Sequence, residues 1–251
     1  MPVPRYLETL TAGASTMLGE QLTGVYLAGS LALDDFDPLR SDIDVALVVA
    51  SSLDSGAKKS LAQALGHSTI PCPVRGLELV TYTEAAAATV SRAPAFEMEL
   101  NDGPGMDHRF TSDPLDRPTS DGTFWYAIDR DILHHAGRAL TGPPAAEVFA
   151  TIPDDELLPL LLEAMAWQLA HRSGAVGSDS DSVLNACRSW IRISSGRWYG
   201  KSEAGRRLVE SEPEWAPVVH GALGSRSGGT NAVGDAEPLL TEIHNRLTAM
   251  R

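Results

Sequence analysis

Residues 28–48, AGSLALDDFDPLRSDIDVALV, carry the most informative pattern in the chain. Gly29 and Ser30 end a short apolar run, and Asp42 and Asp44 open a second run that is rich in valine. Short apolar runs bounded by glycine and a polar loop are typical of β-strands. Because residues two apart on a strand point to the same face, we expect the two carboxylates to lie side by side.

Two carboxylates this close repel each other unless a cation lies between them. Mg²⁺ prefers oxygen ligands and also binds nucleotide phosphates, so it suits Asp42 and Asp44. Gly29 and Ser30, in the turn that faces the pair, offer backbone N–H groups and a hydroxyl to a phosphate. An Asp-x-Asp pair also occurs by chance at strand ends, but the Gly-Ser pair a dozen residues upstream favours a metal site.

The spacing of Gly-Ser and Asp-x-Asp over two strands resembles the signature of the nucleotidyltransferase superfamily that includes DNA polymerase β. This resemblance implies that Asp42 and Asp44 hold Mg²⁺ and that a later strand supplies a third carboxylate. Glu78, within GLELVTY, matches that position. It would act as general base, third metal ligand or both. The alternative is a solvent-facing glutamate on an edge strand. The implied nucleotide-binding residues of this half are Gly29, Ser30 and Ser41.

The second half of the chain extends the resemblance. Residues 125–153 and 182–205 resemble the helical substrate domain of the aminoglycoside (3'')(9)-adenylyltransferases. In that family an arginine, and a lysine thirteen residues later, reach the ATP phosphates, and Arg188 and Lys201 have this spacing. Without the family, Arg188 would be read as a solvated helix residue and Lys201 as a helix cap.

Two acids precede the Arg188 position, and they lie close to the family's acidic substrate contacts. The resemblance therefore implies that Asp179 and Asp181 bind the substrate, although N-caps of a helix are an equal alternative. The family also has a tryptophan after the fourth strand, where this chain has Gly103. The resemblance therefore supports the type of reaction more strongly than it supports the identity of the antibiotic.

The resemblance implies an α+β fold with two domains. A polymerase-β-like nucleotidyltransferase domain, a mixed sheet flanked by helices, is expected at 1–145, and an all-α helical bundle at 146–251. Periodicity agrees with this division. It predicts strands at 24–29, 42–50, 74–83 and 95–101, a long loop at 102–122, and helices at 5–20, 54–66, 157–169, 181–195, 202–210, 213–223 and 235–250, with a glycine- and serine-rich connector at 224–234.

Composition restricts the partners. The 251 residues include 33 acidic and 20 basic side chains, so the formal net charge is -13. Such a negatively charged chain is poorly suited to binding nucleic acid through its phosphates, and it attracts cations. Neither an export signal nor an apolar run of membrane-spanning length is present, and two distant cysteines suggest no disulfide framework. We therefore expect a cytoplasmic monomer without a membrane partner.

The function that the resemblance implies is the Mg²⁺-dependent transfer of AMP from ATP to a hydroxyl of a cationic aminoglycoside or aminocyclitol of the streptomycin or spectinomycin type, with release of pyrophosphate. One alternative keeps the fold and changes the acceptor to a protein, an RNA or a biosynthetic small molecule. A second is a binding module without catalysis, against which the three acids Asp42, Asp44 and Glu78 argue.

Overall fold

The structure is a computed structural model that describes residues 1–171, 176–226 and 233–251, except for the side chains of Thr119 and of residues 176–178. The described residues form two compact units, Met1–Thr151 and Ile152–Arg251. Most of the connector expected at 224–234 lies outside the described residues. Its first three residues, Gly224 to Arg226, are helical.

Unit 1 is built on a six-stranded mixed sheet with the strand order β5-β4-β3-β2-β1-β6. Strands β2 and β3 are parallel, and the other neighbours are antiparallel. The strands are β1 (Leu22–Leu27), β2 (Ile43–Val49), β3 (Leu77–Thr83), β4 (Met98–Gly103), β5 (Met106–Thr111) and β6 (Arg138–Thr141), and the helices are α1 (Val3–Leu18), α2 (Gly29–Ala32), α3 (Ser55–Leu65), α4 (Glu84–Ala87), α5 (Phe124–Ala136) and α6 (Ala145–Val148).

Both faces of the sheet are covered, which explains why the central strands are almost continuously apolar. One face packs against α1 and α3 through buried residues such as Leu10, Leu47 and Leu61. The other face carries a second core that includes Tyr26 and Tyr82. Asp44 and Glu78 occupy this second face, because each is an even number of residues from the apolar residues of its strand there.

One expectation for this half is wrong, and one strand was not predicted. The segment expected to be a loop at 102–122 contains β5, and β6 had no strand signal at all. Both are edge strands, and β5 reads MDHRFT, with the charged and polar side chains that edges carry instead of an apolar alternation. Residues 125–151, which resemble part of a helical substrate domain, belong to unit 1, where β6 pairs with β1.

All the regular secondary structure among the described residues of unit 2 is helical. Its helices are α7 (Asp154–Ala170), α8 (Val176–Ser195), α9 (Lys201–Ser211), α10 (Ala216–Arg226) and α11 (Glu237–Ala249). Three acidic residues in the first turn of α7 stabilise the helix by interacting with the positive end of its dipole. The mixed sheet with flanking helices and the helical second half confirm the predicted α+β fold class. None of the described helices combines the length and apolar character that a membrane crossing requires.

Candidate active site

The three predicted carboxylates lie at the starts of two adjacent strands of unit 1, β2 and β3. Asp42 directly precedes β2, and Asp44 is the second residue of that strand. Glu78 is the second residue of β3 and pairs in register with Asp44 across the parallel strands. Glu78 is therefore in the centre of the sheet, between β2 and β4, which excludes the alternative of an edge-strand glutamate.

The turn after β1 brings Gly29 and Ser30 against Asp44. The Ala28 N–H donates to the Asp44 carbonyl oxygen at 3.0 Å, and the chain then turns at Gly29 with φ of 53°. A Cβ at Gly29 would overlap the Asp44 carboxylate, so only glycine permits this approach. The Ser30 hydroxyl oxygen is buried and has no hydrogen-bond partner among the described residues. It is therefore available for a hydrogen bond to a ligand at this turn.

Replacing Gly29 with alanine is expected to lower the free energy of unfolding by about 2–4 kcal/mol, because positive φ and overlap with Asp44 act together. Gly19 is a matched control, since it has the same φ of 53° but open space around its Cβ position. Gly19→Ala should cost only the backbone strain, about 1–3 kcal/mol. Urea unfolding of both variants measures the difference, and equal losses would contradict the close approach to Asp44.

Ser41, the remaining predicted nucleotide-binding residue of this unit, is buried directly before Asp42. Its hydroxyl oxygen accepts a hydrogen bond from the Asp37 N–H at 3.1 Å, and its own N–H donates to the Asp37 carbonyl oxygen at 2.7 Å. These bonds close the loop between β1 and β2, so in this structure Ser41 fixes the position from which Asp42 projects.

Arg75 is a site residue that the sequence reasoning missed. Its Nη1 donates to Asp42 Oδ2 at 2.5 Å. The Ile43 N–H donates to the Gly76 carbonyl oxygen at 2.8 Å, which places the residues preceding β3 beside Asp42. A basic residue three positions before the predicted base was the available signal, but only the parallel pairing of β2 with β3 shows its partner.

The charge around Glu78 alters its protonation. Partial burial, followed by the negative charges of Asp42, Asp129 and Glu99, raises the pKa of Glu78 from 4.5 to about 7, and Arg75 acts in the opposite direction. Asp44 lies directly across the strand pair from Glu78. A carboxyl group with a pKa near neutrality is suited to proton transfer at physiological pH.

This shift predicts a pH dependence of stability. The folded carboxyl keeps its proton to a higher pH than the unfolded one, so its cost to folding grows from pH 4.5 and is complete above about 7. Glu78→Gln removes this cost. In EDTA, the variant should gain on the wild type as the pH rises over that window, by at most about 3 kcal/mol. Urea unfolding at pH 4.5 and 8 tests this, and a pH-independent difference would contradict it.

A polar row continues across the sheet from the carboxylates. Asp44, Glu78, Asn101 and Arg109 occupy successive strands in direct register. Asn101 is buried, and with its amide turned so that the oxygen faces Arg109, that oxygen accepts a hydrogen bond from Arg109 Nη2 at 2.6 Å. Asn101 and Arg109 were not predicted as site residues. The sequence of β5 lacks the apolar pattern of a strand, so its pairing with β4, which places Arg109 beside Asn101, was not expected.

The donors at the starts of β2 and β3 would fit a Mg²⁺ ion that phosphate oxygens also bind. Among the described residues no three His, Cys, Asp or Glu side chains form a complete metal cage, and Asp42 is directed to Arg75 instead. Mg²⁺ needs no such cage, since one or two carboxylates together with substrate phosphates and water satisfy it. Asp42 and Asp44 would supply those carboxylates, next to the unpartnered hydroxyl of Ser30.

The predicted residues of unit 2 lie on two helices. Asp179, Asp181 and Arg188 are on α8, and Lys201 is the first residue of α9. Because α8 already includes Val176, neither aspartate is its N-cap. Lys201 Nζ donates to Asp181 Oδ1 at 2.7 Å, so the structure joins a predicted phosphate-binding cation to a predicted substrate-binding acid.

Arg188 is not simply a solvated helix residue. Its guanidinium carbon lies 5.8 Å from the centroid of the Trp198 ring, within the range of a cation–π contact. Gly103, where the family has a tryptophan, ends β4 so close to Gly76 that any side chain would overlap the Gly76 backbone. Position 103 in this chain therefore cannot accommodate the tryptophan that the family has there.

No protein-family model matches the sequence, and no curated protein matches it. Among solved structures, the chain is similar to a spectinomycin adenyltransferase from Enterococcus faecialis, crystallised with ATP and spectinomycin. The two sequences are 17% identical, and the match covers 98% of this chain and 100% of the other with a TM-score of 0.69. The two proteins share one fold. The resemblance drawn from the sequence is thereby confirmed at the level of the fold.

Proposed function

We propose that this chain is a Mg²⁺-dependent adenylyltransferase that moves AMP from ATP to a hydroxyl of an aminoglycoside or aminocyclitol and releases pyrophosphate. The observation that carries the proposal is the in-register pairing of Asp44 with Glu78, beside a glycine turn that touches the Asp44 carboxylate. A fold shared with a spectinomycin adenyltransferase supports it.

In the proposed mechanism the carboxylates have separate tasks. Asp42 and Asp44 would hold Mg²⁺, which supplies charge neutralisation for the phosphates when bound. Glu78 takes the proton of the acceptor hydroxyl as that oxygen bonds to the α-phosphorus. The bond from this phosphorus to the bridging oxygen of the β-phosphate breaks, and pyrophosphate leaves.

The cations of unit 2 would serve the phosphates. A triphosphate that meets three carboxylates requires positive charge from elsewhere, and Arg188 and Lys201 are the proposed source. The net charge of -13 fits an acceptor that carries several positive charges. Spectinomycin and streptomycin are therefore the acceptors to test first.

Pyrophosphate release from Mg-ATP, measured with a panel of streptomycin, spectinomycin and other aminoglycosides, tests the proposal. We expect release only in the presence of an acceptor, together with the mass of an adenylylated product. Release with a protein or RNA acceptor instead would replace the acceptor class and keep the chemistry. Drug binding without pyrophosphate release would indicate a binding module and overturn the proposal.

A further inference from the structure

Asn101 is the direct neighbour of the proposed general base on the next strand. It pairs with Glu78 across β3 and β4, so the two side chains lie on the same face of the sheet. The Cβ atoms of such a pair are about 4.5–5.5 Å apart. Asn101 is only 8% exposed, and the mechanism proposed above gives it no task. A buried amide is thus placed beside the carboxylate that the acceptor hydroxyl must reach.

Arg109 fixes the orientation of the Asn101 amide. Its Nη2 donates to the Asn101 oxygen at 2.6 Å and to Glu99 Oε1 at 3.2 Å. Its Nη1 lies 3.7 Å from Asp121 Oδ2, and Arg117 Nη1 lies 3.2 Å from the other carboxylate oxygen of Glu99. Because a guanidinium is planar and offers its N–H groups in fixed directions, Arg109 ties the amide oxygen towards β5.

The amide held in this way offers a donor. Its nitrogen donates one hydrogen bond, to the Leu100 carbonyl oxygen at 3.3 Å. A primary amide has two N–H groups, and the second one of Asn101 has no partner among the described residues. A buried N–H without a partner costs free energy, which an oxygen atom of a ligand would recover. Since Asn101 shares its face of the sheet with Glu78, a ligand that meets the Glu78 carboxylate is the one in reach.

We propose that Asn101 is an acceptor-binding residue whose second N–H donates to an oxygen of the acceptor next to the hydroxyl that Glu78 deprotonates. Arg109 is then a positioning residue that acts through Asn101. The inference rests on the proposed function, which supplies the acceptor and the role of Glu78. An N–H group cannot donate to a protonated amine, so this position selects a hydroxyl or ether oxygen over an ammonium group. The negative charge of the chain attracts a polycation as a whole but does not distinguish its oxygens from its amines.

Isothermal titration with spectinomycin and with streptomycin, in the presence of Mg²⁺ and α,β-methylene ATP, tests the contact. The methylene group replaces the oxygen that leaves the α-phosphorus, so binding is measured without transfer. Asn101→Val and Asn101→Thr are a matched pair, because both residues have nearly the same shape and suit a strand, but only threonine keeps an O–H donor. We expect valine to weaken acceptor binding about tenfold and threonine to recover part of the loss. Wild-type affinity in Asn101→Val would overturn the proposal.

Two arginine variants test the positioning role. Arg109→Gln and Arg117→Gln each remove a cation beside Glu99 and Asp121, but only Arg109 bonds to Asn101. Arg109→Gln should weaken acceptor binding severalfold, with no further loss when it is added to Asn101→Val. Arg117→Gln, or Arg117→Lys where circular dichroism shows that glutamine is not tolerated, should bind as the wild type does. Equal losses in the two arginine variants would overturn the positioning role.

The same titrations separate this proposal from the proposed function. Weaker binding in Asn101→Val, without AMP transfer by the wild type, would support the contact and remove the proposed function. Unchanged affinity together with slower transfer would show that Asn101 acts on Glu78, which overturns the contact and leaves the proposed function in place. A wild-type protein that binds neither antibiotic would overturn both.

Discussion

Glu78→Gln is expected to reduce the rate of AMP transfer by about a hundred- to ten-thousandfold, which is the contribution that a positioned general base makes. Glutamine has nearly the shape of glutamate but cannot accept the hydroxyl proton. Glu78 pairs with Asp44 in the centre of the sheet, so the variant keeps its strand register. Single-turnover rates at saturating Mg-ATP and acceptor measure the loss in the chemical step.

Two controls make the Glu78 result specific. Glu97→Gln removes another carboxylate of unit 1, one that pairs with Lys58 at 3.1 Å, and it should transfer AMP at close to the wild-type rate. Circular dichroism and urea unfolding should show that Glu78→Gln is folded and, above pH 7, more stable than the wild type. Unimpaired turnover in a folded Glu78→Gln protein would remove Glu78 from the proposed mechanism.

Asp42→Asn is expected to reduce transfer about a thousandfold and to weaken its dependence on Mg²⁺, because a neutral amide is a poor ligand for a hard divalent cation. The variant also removes the negative charge that faces Arg75, so unbalanced positive charge remains where the metal would bind. Initial rates over a Mg²⁺ titration, with Mn²⁺ binding followed separately, measure both effects.

The matched control for Asp42 lies in the same loop. Asp34 is an exposed carboxylate that pairs with Arg138 at 2.6 Å, and its φ of 56° is one that asparagine also adopts. Asp34→Asn should therefore leave both transfer and Mg²⁺ dependence unchanged. Full activity of Asp42→Asn at ordinary Mg²⁺ concentrations would show that Asp42 is not a metal ligand.

Most of the regular structure follows from local pattern. The valine-rich run after Asp42 and the largely apolar run around Glu78 predicted β2 and β3, because a strand between two covered faces must be apolar. Helical periodicity predicted α1, α3 and the helices of unit 2. By contrast, β5 and β6 were missed, since an edge strand is stabilised by its neighbour's backbone and needs no apolar signature of its own.

The sequence alone predicted a strand that begins around Asp42 and Asp44 and a glycine turn before it, because the apolar runs and the glycine that ends the first of them are visible in the chain. It also identified Glu78, Arg188 and Lys201 as candidates. Only the tertiary structure placed Glu78 opposite Asp44, paired Arg75 with Asp42, and surrounded Asp181 with Lys201 and Arg226. The partner of a charge is decided by distance in space, and strand register and helix packing set that distance between residues remote in the chain.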